Sequence, residues 1–194
     1  MKALLVLLGL GLIVGFYGCS TNNRLVAADV NVQTKWADVQ TAYQRRADLI
    51  PQLVNTVKGA ANYEKSTLES VVQARAKATS ITLDASKLSD PNAVKQFEEA
   101  QGALSQSLGR LIATHEAYPD LKANQNFTAL MSQLEGTENR INTERRKYNE
   151  AVEGFNASVR SFPTSIVASM RHFEAKVPFK ASSPGAEKAP EVKF

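Results

Sequence analysis

The chain has 194 residues, of which 43% are hydrophobic, and a formal net charge of +4. This length suits one domain with a real core and is short for two. Basic and acidic residues alternate, and basic residues adjoin only at 45–46 and 145–147, whereas a nucleic-acid-binding protein typically has a clustered basic face. We therefore expect no nucleic-acid partner.

The first predicted element is an apolar leader, residues 1–18, in which Lys2 precedes an uncharged run. The run is shorter than the roughly 20 residues that span a membrane and suits a secretory signal peptide. Gly18 and Cys19 follow it, and a small residue before the only cysteine resembles the lipobox of bacterial lipoproteins. We expect cleavage before Cys19 and lipidation of its thiol. The alternative is an uncleaved membrane anchor.

Both kinds of anchor predict the same location at the cell membrane, lipid-anchored or single-pass. Lys2 favours the cytoplasmic side, so the domain that follows the leader is expected outside the cytoplasm. In a cell with two membranes, Ser20 stands where an aspartate would retain a lipoprotein in the inner membrane, which favours the periplasmic face of the outer membrane. Residues 19–24 are predicted to link the anchor to a bundle that covers residues 25–173.

A seven-residue repeat predicts one long helix from residue 23 to about 79. Such a narrow apolar seam is typical of long helices that pack lengthwise. Residues 59–66, GAANYEKS, are expected to bend or interrupt it, and Pro51 removes the helix hydrogen bond to the carbonyl of Ala47. The repeat consists of Leu25, Val32, Val39, Arg46, Leu53 and Ala60, beside Trp36, Tyr43, Ile50 and Val57.

The next helix is predicted at about 91–117, after a loop in which Ser89 or Asp90 caps it and Pro91 lies in its first turn. Its seam contains Val94, Phe97, Gln101, Leu104, Leu108, Leu111, His115 and Tyr118.

Pro119 is predicted to open the last long helix, which runs to about Val159. A short helix is expected at 166–173, and a flexible tail at 174–194, where the composition is poor in apolar residues. These elements predict an all-α, elongated antiparallel helical bundle of three long helices and about two short ones. The seam of the last long helix contains Phe127, Leu134, Ile141, Tyr148, Phe155 and Phe162, beside Met131, Glu138, Arg145, Val152 and Val159.

Charged residues within these seams form the candidate site. Arg46 on the first helix and Glu138 on the last can meet at matching depth, and such a polar layer fixes the register between helices. The alternative is an anion-binding or peptide-binding site. The residues of the layer, or of that site, are Arg45, Arg46, Asp48, Glu138 and Arg145.

Three stretches resemble the LemA family: WADVQTAYQRRADLIPQLVNTVKGAANYEK, AQGALSQSLGRLIATHEAYPDLKANQNFTAL and LEGTENRINTERRKYNEAVEGFNASVRSFP. The resemblance runs from about residue 24 to 179, and the ending APEVKF is also similar to the ending of many members. It implies a mostly helical antiparallel bundle behind an N-terminal membrane segment. The resemblance implies neither an enzymatic activity nor a cofactor, because none is established for the family. The Gly18-Cys19 leader departs from members that carry a plain transmembrane helix.

The sequence contains no pattern that indicates catalysis or metal binding. Its two histidines are His115, on a helix seam, and His172, near the tail, and zinc or calcium motifs are absent. Glu98 and Glu99 are expected to be solvated. We therefore expect no catalytic residue, metal or cofactor, and no enzyme.

Three hypotheses about function remain. The first is a non-enzymatic envelope protein that acts through protein interactions, with the tail binding in trans or folding back on the bundle. The second is a binding module for anionic lipid or an envelope polymer. The third is an enzyme of unrecognised type at the Arg/Glu layer.

Overall fold

The structure is a computed structural model, and it describes residues 2–59, 65–115 and 124–180. Within these ranges every regular element is a helix and none is a strand, which confirms the all-α prediction. The helices are α1 (Lys2–Lys58), α2 (Lys65–Ser80), α3 (Pro91–His115), α4 (Gln125–Arg160) and α5 (Thr164–Met170), with a 3-10 turn at Ala85–Lys87.

The predicted seams form the core. Leu25, Val32, Val39, Arg46 and Leu53 on α1 are each at most 1% exposed. On α4 the apolar seam residues from Phe127 to Phe155 are buried, apart from the partly buried Met131, but Phe162 is 83% exposed. The prediction is wrong for Phe162 because α4 ends at Arg160 and the chain turns away from the core. Ala60 lies outside the described residues.

The long helices α1 and α4 run antiparallel, because the later residues 49–57 of α1 pack with the early residues 127–134 of α4, and the earlier residues 32–43 of α1 pack with the later residues 141–155 of α4. Apolar residues of α2 and α3 join them around one core, between Leu49 and Val57 of α1. A second core lies toward the start of the bundle, around Trp36, where α2 has ended. There the loop 81–90 and the segment 173–180 complete the packing.

Two of the helix starts, those of α3 and α4, have identifiable side-chain caps. The Oδ1 atom of Asp90 accepts a hydrogen bond from the backbone N–H of Asn92 at 2.8 Å, which confirms one of the two predicted caps of α3. The helix α4 begins at Gln125, where the Asn124 side chain accepts from the backbone N–H groups of Asn126 and Phe127. Pro119, predicted to open this helix, lies outside the described residues.

Residues 173–180, here called the strap, form neither a helix nor a strand and lie across the bundle. Phe179 is only 5% exposed, and the backbone N–H of Val177 donates to the carbonyl of Leu88 at 2.8 Å. The prediction of a flexible tail is therefore wrong for residues 174–180, which pack on the bundle. Composition missed it because a single buried aromatic ring and paired backbone groups hold the strap in place. Residues 181–194 lie outside the described residues.

The helix α1 begins at Lys2, so the predicted leader and the bundle belong to one continuous helix. Residues 19–24, predicted as a linker, are helical within it because no glycine or proline interrupts them. Within the described part of the chain, no helix combines the length and apolar character needed to cross a membrane. In the leader, Met1 and the side chains at 3, 4, 6, 7, 13 and 14 lie outside that description.

Pro51 lies inside α1 without ending it. Its ring nitrogen carries no hydrogen, so the carbonyl of Ala47 loses its helical partner. Arg75 of α2 supplies the missing donor, since its Nε atom lies 2.8 Å from that carbonyl oxygen. The carbonyl that Pro51 leaves without a helical donor thus forms a hydrogen bond between α1 and α2.

We predict that Arg75→Ala lowers the free energy of unfolding by about 1–3 kcal/mol, because the Ala47 carbonyl loses its donor. In a Pro51→Ala background the backbone N–H at position 51 bonds this carbonyl, so the same change should cost clearly less. A double-mutant cycle measured by denaturant unfolding checks the coupling. Equal costs in both backgrounds would show that Arg75 does not compensate for Pro51.

Candidate functional site

A buried arginine connects three helices between the two apolar cores. The guanidinium of Arg46 donates to Glu138 at 3.0 Å, to Ser105 Oγ at 2.6 Å and to Gln101 Oε1 at 2.7 Å. It also lies 5.1 Å from the centre of the Tyr43 ring. The layer therefore joins α1, α3 and α4 at a single depth.

Burial differs sharply between the two charged partners. The Arg46 side chain is 2% exposed, whereas that of Glu138 is 44% exposed. The Nε atom of Arg46 is buried and has no hydrogen-bond partner among the described residues. Glu138 therefore meets solvent on one side and the buried guanidinium on the other.

Arg145 forms a second ion pair next to this layer. It donates to Glu98 Oε1 at 3.1 Å and to the carbonyl of Lys180 at 2.8 Å, and its guanidinium stacks 4.7 Å from the centre of the Phe179 ring. The expectation that Glu98 is solvated is wrong, because Glu98 also accepts the backbone N–H of Lys180 at 3.0 Å. Glu99 is exposed, as expected.

The structure separates the other two predicted residues from Arg46. Arg45 is exposed and donates to Gln133 at 3.2 Å. Asp48 is exposed and accepts from Gln44 at 2.8 Å, one helical turn away. The structure brings Arg46, Glu138 and Arg145 to the wall of one cavity.

That cavity is a cleft of about 890 Å³ between α1, α3 and α4, bordered by the end of the strap. Its charged groups balance, with three basic and three acidic side chains. The lining consists of Tyr43, Arg46, Glu98, Glu99, Gln101, Gly102, Ser105, Gln106, Glu138, Ile141, Asn142, Arg145 and Lys180.

Two asparagines of α4 hold the strap by its backbone. Asn149 donates to the carbonyl of Phe179 at 2.9 Å and accepts its N–H at 2.8 Å. Asn156 makes the same pair with Lys176, at 2.8 Å for both bonds. Each side-chain amide therefore pairs with both the backbone N–H and the backbone carbonyl of one strap residue, as a neighbouring β-strand would.

The distance between the two asparagines along α4 matches the distance between the two strap residues that they bind. Asn149 and Asn156 are seven residues apart on α4, a rise of about 10.5 Å, and the three steps from Lys176 to Phe179 cover that distance when the strap is extended at about 3.3 Å per residue. Asn142 lies another seven residues along α4 and lines the cleft. It is exposed, and its side chain makes no hydrogen bond within the described residues.

Aromatic rings enclose the anchor of the strap. The Phe179 ring centre lies 5.2 Å from that of Tyr148 and 5.8 Å from that of Trp36. The Tyr148 hydroxyl donates to the carbonyl of Val177 at 3.1 Å. Burial raises the pKa of Tyr148 above its ordinary value, and burial also raises that of Tyr43.

No group of histidine, cysteine and carboxylate side chains within the described residues could hold a metal ion. His172 is exposed and follows α5 with a φ of 57°. The side chain of His115 lies outside the described residues. No histidine or cysteine lines the cleft.

Sequence reasoning missed the residues that hold the strap. The signal was present, because Asn142, Asn149 and Asn156 recur every seven residues, as the apolar seam does. Ser105 carried no comparable signal, and Gln101 was identified only as a seam residue. The described geometry was needed to show that both bind Arg46.

Known proteins match most of the chain. A model of the LemA family matches residues 35–194. Protein LemA from Metamycoplasma hominis is 28% identical over 146 residues, covering 75% of this chain and 63% of that protein. The magnetosome proteins MamQ 2 and MamQ 1 from Paramagnetospirillum magneticum are each 25% identical over 183 residues, covering 84% of this chain and 66% of theirs. The chain thus spans just under two thirds of the length of these relatives.

Proposed function

The chain belongs to the LemA family, and we propose that it is a membrane-anchored, non-enzymatic bundle that binds an extended segment of a partner protein. The binding site is the α1–α3–α4 cleft. The partner segment lies along α4 beyond Lys180, the last described residue of the strap, and Asn142 binds its backbone.

One observation carries this proposal: α4 already binds an extended polypeptide by its backbone. Asn149 and Asn156 each hold both backbone groups of one strap residue. Asn142 stands at the same spacing, exposed at the cleft. Backbone hydrogen bonds supply affinity in this mode of recognition, and side-chain pockets supply specificity.

The charges of the cleft favour a peptide over an anionic polymer or lipid headgroup. Its basic and acidic side chains are equal in number. Arg46 is paired with Glu138, and Arg145 with Glu98. A site for a polyanion would present unbalanced basic groups.

The anchor belongs to the same proposal. We expect the leader to direct the bundle to the extracytoplasmic side of the membrane, with Cys19 processed and lipidated. Intact mass of the membrane-extracted protein should show a product that begins at Cys19 and carries acyl chains. If both the parent and a Cys19→Ala variant were full-length and carried no acyl chains, lipidation would be overturned and a helical anchor would remain.

Peptide binding to the detergent-extracted full chain tests the function. Selection from a displayed library of random ten-residue peptides should give sequences that bind the cleft. Asn142→Ala should weaken their binding about tenfold, because two backbone hydrogen bonds together contribute about 1–1.5 kcal/mol. Isothermal titration measures this difference.

The matched control is Asn139→Ala, which removes an exposed asparagine of α4 that does not line the cleft. Its affinity for the same peptides should equal that of the parent. Equal affinity in the two variants, or no enriched peptide at all, would contradict binding at Asn142.

A further inference from the structure

Large apolar side chains are exposed around α5. Phe162, in the turn before the helix, is 83% exposed, Ile166 is 53% exposed and Met170 is 76% exposed. Ile166 and Met170 are four residues apart and therefore share one face of α5. The opposite side of the helix packs on the bundle through Ala168, which is 1% exposed.

The exposed apolar residues are concentrated at one end of the molecule. Among the described residues, every large exposed apolar side chain except Val72 lies at 5–30 or 162–170. The two groups are adjacent, because Arg171 at the end of α5 donates to Asn22 of α1 at 3.1 Å. The face of α5 thus lies beside the point where the apolar leader enters the bundle.

Basic residues border this face. Arg24, Arg160 and Arg171 are exposed at this end. The ranges 20–28 and 160–174 contain one acidic residue, Glu174. An apolar face with a basic border fits the interface of a membrane that contains anionic lipid.

We propose that Phe162, Ile166 and Met170 form a membrane-contacting foot that inserts into the interface of the bilayer. This rests on the proposed membrane anchor, and it holds for both kinds: a helical anchor ends near residue 18, and a lipidated chain begins at Cys19. Either anchor brings the bilayer to the level of Asn22 and therefore to α5.

A second copy of the chain fits this face less well. A stable protein interface buries about 800 Å² on each partner, and one fully buried aromatic side chain supplies about 150–250 Å². Three side chains do not reach the required area. A bilayer has no such minimum and accepts each apolar side chain individually.

Tryptophan reporters in the full chain test the foot. Ile166→Trp and Met170→Trp place an indole on the proposed face, and Val72→Trp places one on exposed α2 as the matched control. Each protein is reconstituted into phosphatidylethanolamine–phosphatidylglycerol vesicles, with and without 6,7-dibrominated chains. Emission of the parent, which contains only Trp36, is subtracted, and thermal unfolding checks that each variant is folded.

We expect the emission added by Ile166→Trp and Met170→Trp to shift to shorter wavelength and to be largely lost with brominated lipid. The emission added by Val72→Trp should stay at long wavelength and be retained. Emission at position 166 that brominated lipid does not quench would overturn the foot, and a blue shift without quenching would indicate a protein cover instead.

Flotation of the same vesicles separates the two proposals. Full-length protein that floats while neither α5 reporter is quenched leaves the anchor intact and overturns only the foot. Protein that does not float overturns the membrane anchor and, with it, the foot.

Discussion

Arg46→Ala is expected to lower the free energy of unfolding by about 3–5 kcal/mol, the cost of removing one member of a buried charged network. The side chain is 2% exposed, so its loss leaves a void between the two cores. It also leaves the Oε1 atom of Gln101 and the hydroxyl of Ser105 without their donor. Denaturant unfolding measures the change.

Two further variants assign the cost. Arg46→Lys keeps the charge but loses the planar fork that reaches Glu138 and Gln101 together, so it should recover less than half of the lost stability. Glu138→Gln keeps an acceptor at the half-exposed position and should cost about 1 kcal/mol. A loss below about 1 kcal/mol for Arg46→Ala would show that the layer does not hold the helices together.

Phe179→Ala is expected to destabilise the protein by about 3–5 kcal/mol, in the range of other buried phenylalanine truncations. The ring contacts those of Trp36 and Tyr148 and lies under the guanidinium of Arg145. Without the ring, the strap keeps backbone bonds to Asn149 and Asn156 but loses its only deeply buried side chain. Denaturant unfolding measures the loss, and hydrogen exchange at 173–180 should become faster than in α1.

The comparison for this variant is Phe179→Leu, which keeps most of the buried volume and should cost about 1–1.5 kcal/mol. Asn149→Ala should cost about 1–3 kcal/mol, since it leaves two backbone groups of Phe179 unpaired. Asn142→Ala should leave stability unchanged, because its side chain is exposed and unbonded within the described residues. Unchanged stability in Phe179→Ala would mean that the strap is not part of the core.

The sequence predicted what depends on periodicity. Apolar residues recur every seven positions in two seams, one that contains Val39 and one that contains Tyr148. Burying the apolar face of each helix requires long helices packed side by side. The same register placed Arg46 and Glu138 at matching positions, and they lie 3.0 Å apart. That this layer fixes the register between the helices remains a prediction.

Periodicity also misled where a helix ended. Phe162 continues the repeat of α4, but the helix stops at Arg160 and the side chain is exposed. The strap was missed for the opposite reason, because extended residues such as Val177 are held through their backbone, which leaves no compositional signal. Arg45 and Asp48 lie within two residues of Arg46 in the sequence, but helical residues one or two positions apart point in different directions.

In the proposed function, the cleft beside Asn142 receives an extended segment of another protein. Site-specific photo-crosslinking from position 142 of the full chain in its own cells tests this most directly, with position 139 on the same helix as the control. We predict that the crosslinks from 142 map to one contiguous segment of another envelope protein, and that position 139 gives none to it. Crosslinks from 142 that map only to residues 181–194 of this chain, or the same products from both positions, would contradict the claim.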